Sequence, residues 1–502
     1  MGIVKRQSIK YTFISVIGSM IGALSVLYIY PLNIENVGLA QTVTNFGLFL
    51  SPFIGFSSST LIIRFYDNSN EEPNSILIIG LLIATIYALL FIVVFYFFIL
   101  PNLNSLQFLG YNPELFRNNS FCIIAIGICI VFITVLNNQS NNLQRAVIPN
   151  LLYNVGLKIF MPMLILGSYF NFITKEQIPF GILLFYILLL MAMVFYLRKL
   201  KGFPQKINLA LFKIYDFKQV FNYSIIIGFT GLASVIATKI DIISIAGFKN
   251  LSEVGKYSLP FFIASLIEIP VGGIASISSP LIAGHLNRKE YAELNILLRK
   301  ASNSLFLIGS LIFVILYAIF NDLTLLSKKP EVFEHGIEIF KIIGIAKLID
   351  MVTSLNSQTI NYSKYYSYNL YFVILTAIAN LFFTIYFTKH YGIVGTSYAI
   401  LMSIILFNTL KFIMLKTKLD LNPFSKSTFF ILLILILQIG IVSLLKITFN
   451  PFINIGLKCT VVIVSFTFLV WIFKPSDDID DLLFGEEGIF KNGLNVKKIM
   501  GL

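Results

Sequence analysis

The sequence has 502 residues, of which 57% are apolar and only 12% are charged, and its mean hydropathy is +0.85. Soluble domains carry roughly 25% charged residues, so this composition argues against a soluble enzyme and favours a chain that crosses a membrane many times. The formal charge of +13 comes from 37 Lys and Arg against 24 Asp and Glu. In a membrane protein, Lys and Arg concentrate in the cytoplasmic loops, and this distribution can account for such an excess of positive charge. We therefore expect no nucleic-acid partner.

Apolar runs of spanning length predict an all-α polytopic membrane protein with about fourteen transmembrane helices. In chain order the predicted spans lie near 9–31, 38–61, 76–100, 121–136, 148–170, 179–197, 219–247, 255–283, 302–320, 337–358, 370–388, 397–415, 428–445 and 454–473. The first follows Lys5, Arg6 and Lys10 as a signal peptide would, but it lacks a small-residue cleavage site. It is therefore predicted to remain as a helix.

The distribution of Lys and Arg predicts the orientation. With the N-terminus inside, 24 of the 37 fall in cytoplasmic segments and seven in outer loops. The positive-inside rule then places both termini in the cytoplasm. The two largest basic clusters, at 198–218 and 288–300, are interpreted as topology signals that also contact anionic membrane lipids.

The three cysteines each lie inside an apolar run, which predicts small buried side chains rather than disulfides, metal ligands or a redox centre: Cys122, Cys129 and Cys459. The sequence predicts no cofactor and no metal. The Asn-rich stretch 137–142 is compatible with sugar contacts, but codon bias explains it equally well.

A weak internal repeat relates the two halves of the chain. The segment Asn-Ile-Glu-Asn-Val-Gly at 33–38 matches Asn-Leu-Ser-Glu-Val-Gly at 250–255 with an offset of 217. The segment Pro-Phe-Ile-Gly at 52–55 matches Pro-Val-Gly-Gly at 270–273 with an offset of 218. Two bundles of equal orientation imply a pseudo-two-fold axis along the membrane normal.

The repeat predicts four regions of the chain. They are an N-terminal lobe of six helices at 1–205, a C-terminal lobe of six helices at 206–418, two further helices at 419–475 and a cytoplasmic tail at 476–502. A substrate path would then run between the two lobes. The outer loops are too short for a separate domain, so function should reside among the helices.

Six ionisable residues lie deep within the predicted spans: Lys158, Lys239, Asp241, Glu268, Lys347 and Asp350. A charge at the bilayer centre costs roughly 2.5–3.5 kcal/mol on insertion scales, so each should face a cavity or a partner. Lys347 and Asp350 are three residues apart and can pair within one helix. Lys239 and Asp241 are two apart and cannot both face one cavity. No acidic residue lies within one helical turn of Lys158. This predicts that its partner is an anionic ligand or an acidic residue from the other half of the chain.

Two uses of these charges stay open. Lysines that reach a shared cavity would suit a diphosphate group, which Lys binds as a point charge. The predicted substrate-binding residues are Lys158, Lys239 and Lys347. Carboxyl groups in a low-dielectric environment could instead exchange H⁺, bind Na⁺ or neutralise the lysines while no substrate is bound to them. The predicted coupling or charge-balancing residues are Asp241, Glu268 and Asp350.

Several short segments, loose individually but in a consistent order, resemble the O-antigen and exopolysaccharide repeat-unit flippases. That family belongs to the multidrug/oligosaccharidyl-lipid/polysaccharide (MOP) superfamily, with the multidrug exporters and the lipid II flippase. The segments are Asp241 with Val-Gly-Lys-Tyr at 254–257, Pro-Leu-Ile-Ala at 280–283 followed by a basic connection to 301–302, Tyr-Gly-Ile-Val-Gly at 391–395, and Asn-Pro-Phe-Ser at 422–425. The chain departs from superfamily patterns in span one, which has no ionisable residue between Lys10 and Glu35.

The resemblance implies two six-helix lobes around a positively charged cavity. It also implies alternating access that moves an undecaprenyl-diphosphate-linked oligosaccharide to the outer face of the bacterial inner membrane, with a polysaccharide polymerase as a candidate partner. One alternative is a cation-coupled exporter of small drugs from the same superfamily. Another is a membrane glycosyltransferase or polymerase, which the absence of a large outer loop and of a cytoplasmic acidic metal motif disfavours.

Overall fold

The computed structural model describes residues 17–64, 75–102, 113–143, 145, 147–203, 217–445 and 449–475. Within these ranges the regular structure is helical and no strand occurs, which confirms the predicted all-α class. The α-helices of seven or more residues are α1 (17–24), α2 (Ile34–Gly55), α3 (Ser58–Arg64), α4 (Ser75–Val94), α5 (Pro113–Asn142), α6 (Gly156–Tyr169), α7 (Ile178–Lys199), α8 (Phe217–Phe248), α9 (Leu251–Ser265), α10 (Ile269–Arg288), α11 (Tyr291–Leu325), α12 (Gly336–Val352), α13 (Ser354–Tyr362), α14 (Tyr366–Leu419), α15 (Lys426–Leu444) and α16 (Pro451–Phe473).

Ten helical ranges in the described part of the chain are long and apolar enough to cross a membrane, or up to eleven when a bent pair within α8 counts as one span. Two of these ranges, Ile17–Gly55 and Tyr366–Leu419, each contain a break. Asn33 has φ −143° and ψ 74°, and Gly392 has φ 64° and ψ −145°. A straight helix as long as α14 would measure about 80 Å, so α14 is long enough for two crossings. The predicted total of fourteen and the predicted orientation stay predictions.

The chain forms two compact units. The first comprises Met1–Phe262, Ser327–Ile339 and Leu370–Ser403, and the second comprises Ile263–Leu326, Phe340–Asn369 and Ile404–Leu502. The lobe boundaries predicted at 205/206 and 418/419 stay predictions, and the predicted tail at 476–502 lies outside the described residues.

The core of the first unit is built on α5, which packs against α2, α3, α4 and α7. Cys122 and Cys129 are buried apolar members of this core, as predicted for small hydrophobic side chains. In the second unit α11 packs against α10, α15 and α16. A buried ion pair joins α11 to α16, because Lys458 Nζ lies 2.6 Å from Asp322 Oδ2 and Asn454 donates to Asp322 Oδ1 at 2.8 Å.

The repeated segments meet each other in the first unit. A Cβ atom at Gly38 would overlap the carbonyl oxygen of Leu251, and a Cβ atom at Gly255 would come within 2.5 Å of the carbonyl oxygen of Ile34. Residues 34 and 38 correspond to 251 and 255 at the repeat offset of 217, so each segment makes the same contact on the other. Such a reciprocal contact is the mark of a local two-fold relation.

The same segments also start their helices in the same way. The side chain of Asn33 accepts a hydrogen bond from the backbone N–H of Asn36 at 3.4 Å, and that of Asn250 accepts one from the backbone N–H of Glu253 at 2.9 Å. Asparagine is favoured at this position because its side chain satisfies a free N–H of the first turn. In both copies of the repeat, an asparagine that caps the helix is therefore followed, five residues later, by a glycine at the point where the two copies approach each other.

We expect Gly38→Ala to lower the thermal stability of the protein markedly, because the methyl group has to push the two helix starts apart. Gly255→Ala should have a similar but smaller effect, since its contact is less tight. Gly440→Ala is the matched control, because nothing lies within 4 Å of its Cβ position in α15. Thermal unfolding followed by size-exclusion chromatography measures the three variants, and equal melting temperatures would contradict the reciprocal contact.

Candidate functional site

Lys158 lies in the first unit against a groove of small residues on α1. Its Cδ atom is 3.6 Å from the Cβ position of Gly18 and 3.5 Å from that of Gly22, and both glycines are buried. Its ammonium group lies 5.8 Å from the centroid of the Phe262 ring. No carboxylate pairs with Lys158 among the residues that the structure describes. The contact with the ring is a weak cation–π interaction.

The helix that carries Lys158 is irregular on both sides of it. The π-helix Leu151–Val155 precedes α6, and Pro162 lies inside α6. Proline has no N–H, so the carbonyl oxygen of Lys158 loses the donor that an ordinary residue at position 162 would provide. The backbone carbonyl of Lys158 therefore lacks the donor that it would have in a regular helix.

A buried carboxyl group lies on α8 in the same unit. Asp241 is 4% exposed and Tyr257, on α9, is fully buried. The Tyr257 hydroxyl donates to Asp241 Oδ2 at 3.3 Å, whereas Asp241 Oδ1 has no hydrogen-bond partner in the described chain. Lys239, two residues before it, is half-buried. A buried carboxylate with one hydrogen bond is costly, which makes Asp241 a candidate functional residue.

The second unit contains an ion pair that joins the turn just before α10 to the helix α12. The 3₁₀ turn Leu266–Glu268 precedes α10, and Pro270 in the first turn of α10 stabilises this geometry. The turn presents Glu268 to α12, where Lys347 Nζ lies 2.8 Å from Glu268 Oε2. The two side chains are 29% and 16% exposed, respectively. The predicted deep charges Lys347 and Glu268 are therefore neutralised by each other in this conformation.

Asp350 has polar partners of its own. Asn408, on α14, donates to Asp350 Oδ1 at 3.0 Å, and Thr353 donates to Asn408 Oδ1 at 2.7 Å. The pairing of Lys347 that sequence spacing suggested was with Asp350, whereas the ion pair that the structure shows for Lys347 is with Glu268.

Lys411 is a deep charge that the sequence analysis did not single out. It is 2% exposed on α14, donates to Ser357 Oγ at 3.2 Å and lies 4.1 Å from the centroid of the Phe407 ring. It lies four residues before the end of the predicted span 397–415, a position from which a lysine side chain can ordinarily reach the interface. Only its burial in the folded chain distinguishes it from such a residue.

A neutral network completes the polar interior of the first unit. Asn380 donates to the carbonyl oxygen of Ala237 at 2.7 Å and accepts a hydrogen bond from Ser403 at 2.8 Å.

No group of three or more His, Cys, Asp or Glu that could hold a metal ion occurs in the described residues. The polar groups available for ligands are thus ammonium, carboxyl, hydroxyl and amide groups.

No family model matches the sequence, and the comparison with curated proteins found no match. Solved structures do match the fold. The lipid II flippase MurJ in an inward closed conformation aligns with a TM-score of 0.64 at 17% identity, over 93% of this chain and 98% of its own. An inward-facing multidrug resistance MATE family transporter of the MOP superfamily aligns with a TM-score of 0.59 at 15% identity, over 82% of this chain and 94% of its own. The MATE multidrug transporter DinF-BH, in complex with R6G, aligns with a TM-score of 0.57 at 15% identity, over 83% and 95%.

This chain has the fold of the MOP transporters. The match confirms the predicted fold class, and it concerns architecture alone because the identities are low. The roles predicted for the six deep charges stay predictions, as does their convergence on one chamber. Lys158, Lys239 and Asp241 belong to the first unit, while Glu268, Lys347 and Asp350 belong to the second.

We expect the pair Glu268 and Lys347 to show strong coupling in a double-mutant cycle. Glu268→Gln and Lys347→Met should each lower the unfolding free energy by about 2–3 kcal/mol, because each leaves a partly buried charge without its partner. The double variant should recover at least half of the summed loss, since it removes both charges. Unfolding of the purified protein in mixed micelles by added SDS measures the four proteins. Additive losses would show that the two groups do not interact.

Proposed function

We propose that the protein is a flippase of the bacterial inner membrane. It moves an undecaprenyl-diphosphate-linked oligosaccharide, such as an O-antigen or exopolysaccharide repeat unit, from the cytoplasmic to the outer face by alternating access. The observation that carries the proposal is Lys158. The side chain of Lys158, in a predicted membrane span, runs along Gly18 and Gly22, and its ammonium lies 5.8 Å from the centroid of the Phe262 ring. No carboxylate among the described residues neutralises it. An anionic substrate group would supply the missing countercharge.

The diphosphate is the part of such a substrate that lysines recognise. Lys158 and the half-buried Lys239 belong to the same unit and would provide two cations for it. Lys347 contributes differently, because Glu268 already neutralises it. In our proposal a substrate phosphate takes the place of Glu268 on Lys347, and the released carboxyl group takes up a proton or a cation.

The extent of the structural matches also supports a flippase. The lipid II flippase covers 93% of this chain, whereas the two multidrug transporters cover 82% and 83%. A chain of this extent is thus matched more fully by a transporter of a lipid-linked substrate.

A cation-coupled exporter of small drugs is the second candidate, because the multidrug transporters share the fold. The buried Asp241, with one oxygen that lacks a partner among the described residues, would suit the binding of H⁺ or Na⁺ in such an exporter. An uncompensated lysine on the transport path would disfavour cationic drugs through like-charge repulsion. We therefore prefer the flippase, with Asp241 and Asp350 as the groups that balance charge or couple transport to an ion.

Transport by purified protein in vesicles tests the proposal directly. We expect the protein to move fluorescent undecaprenyl-diphosphate oligosaccharide from one leaflet to the other. We expect Lys158→Ala to reduce the rate roughly tenfold or more, because a hydrogen bond between charged groups contributes about 1.5–3 kcal/mol. Lys239→Ala and Lys347→Ala should also reduce it. Lys341→Ala is the matched control, since Lys341 shares α12 with Lys347 but is exposed and rests on the ring of Tyr317.

Other outcomes would identify the competing functions. Unaltered rates in all three lysine variants would contradict the substrate-binding assignment. Failure to move the lipid, together with drug resistance in a sensitive host, would identify a multidrug exporter. Formation of a longer glycan from the labelled lipid would identify a glycosyltransferase or polymerase.

A further inference from the structure

A cavity of about 390 Å³ lies within the first unit, bounded by α2, α5, α7 and the helical turns that precede α6. Four amide side chains line it from two sides: Asn137 and Asn141 on α5, and Asn150 and Asn154 before α6. Its volume lies in the range of small-molecule sites. The cavity involves none of the six deep charges considered above.

The Asn-rich stretch of α5 divides its side chains between two tasks. Asn138 donates to the carbonyl oxygen of Ser59 at 2.7 Å, and Asn142 donates to that of Ile62 at 3.1 Å, so both hold α3 against α5. Asn137 and Asn141 lie one turn apart on the face that lines the cavity. In the described structure the side chains of Asn137 and Asn141 make no hydrogen bond to protein. Their amides are thus available to a ligand.

The opposite wall is formed by a pair of connected amides. Asn154 donates to Asn150 Oδ1, and the ring of Tyr153 lies beside them. Tyr153 is itself positioned by an edge-to-face contact with the buried Tyr186, with ring centroids 6.5 Å apart. Apolar side chains such as Met193 form the remainder of the wall. The cavity thus offers amides, one aromatic face and an apolar floor.

A second cavity, of about 410 Å³, adjoins the first through the shared lining residues Ser51 and Thr134. Hydroxyl groups of Ser58 and Ser59 also line it. Ser58 is 1% exposed, and its Oγ atom has no hydrogen-bond partner in the described chain. An unpaired buried hydroxyl is costly unless a ligand or water satisfies it. Together the two cavities form a continuous row of neutral hydrogen-bonding groups.

The chemistry of this row selects the class of ligand. Each amide both donates and accepts hydrogen bonds, as a sugar hydroxyl does. None of the described residues that line either cavity is Asp, Glu, Lys, Arg or His, so a charged group would lose its hydration without compensation. A purely apolar ligand would leave the amides without hydrogen bonds. A neutral, polyhydroxylated ligand satisfies both conditions.

We propose that the two adjoining cavities bind the neutral sugars of an oligosaccharide, with Asn137, Asn141, Asn150 and Asn154 as the recognition residues. The inference deepens the proposed function and rests on it for one step, which is that these sugars belong to the lipid-linked substrate. It separates recognition of uncharged sugars, by amides in the first unit, from recognition of the diphosphate, by lysines. Binding of free glycans tests it independently of transport.

The test uses the full-length protein in lipid nanodiscs on an array of neutral and acidic oligosaccharides without a lipid. We expect retention of neutral glycans. With the best of these in solution, Asn137→Leu and Asn154→Leu should each weaken binding roughly tenfold, since each removes hydrogen bonds and leaves sugar hydroxyls unpaired. Leu48→Trp should also abolish binding, because it fills the cavity without removing any amide.

Asn138→Leu is the matched control on the neighbouring position of α5. It should lower the melting temperature through the lost bond to Ser59 and leave the affinity for the glycan unchanged. The proposal is overturned if the protein retains only acidic glycans or none, or if the two cavity variants and Leu48→Trp bind like the wild type. If the leucine variants do not fold, Asn137→Ser and Asn154→Ser answer the same question with smaller side chains. Glycan binding without lipid transport would support the cavity and reject the flippase.

Discussion

The free-energy cost of a charge at membrane depth organises the polar interior of this protein. Lysines and carboxyl groups persist there only where a partner or a cavity compensates the lost hydration. Glu268 and Lys347 neutralise each other, and Asp322 is neutralised by Lys458. Lys158 differs, because among the described residues it contacts an aromatic ring and two glycines and no acid. That contrast is why our proposal assigns an anionic substrate group to Lys158.

The repeated segments show how a weak duplication in sequence becomes a physical contact. In each copy an asparagine caps the helix, and a glycine five residues later admits the backbone of the other copy. A side chain at either glycine would separate the two helix starts, so the contact constrains both copies at once. The caps and the reciprocal packing account for Asn and Gly, two of the three positions at which the copies agree.

The amide-lined cavity and Lys158 occupy different places in the first unit. The amide-lined cavity carries neutral groups, whereas Lys158 lies on the next helix, against the glycine groove of α1. A lipid-linked oligosaccharide has the same division, with a charged diphosphate and sugars that can be uncharged. The proposed function and the proposed sugar site therefore rest on different groups of residues, which allows each of them to be tested without the other.

The sequence by itself determined the features that depend on local composition and periodicity. Apolar runs gave the helical class, and the segments at 33–38 and 250–255 gave the repeat. The position of the six charges within those runs could also be predicted from the sequence. The partners of these charges could not, because spacing along one helix describes only the surface of that helix. The three-residue spacing suggested Asp350 as a partner of Lys347, and it gave no sign that the turn at Leu266–Glu268 brings Glu268 to the same lysine. Only the packing of the helices showed that Lys411 is buried. It also showed that Asn137 lines a cavity, whereas its neighbour Asn138 donates a hydrogen bond to the backbone of α3. Such adjacency arises from how helices pack in three dimensions, which no one-dimensional pattern in this chain specifies.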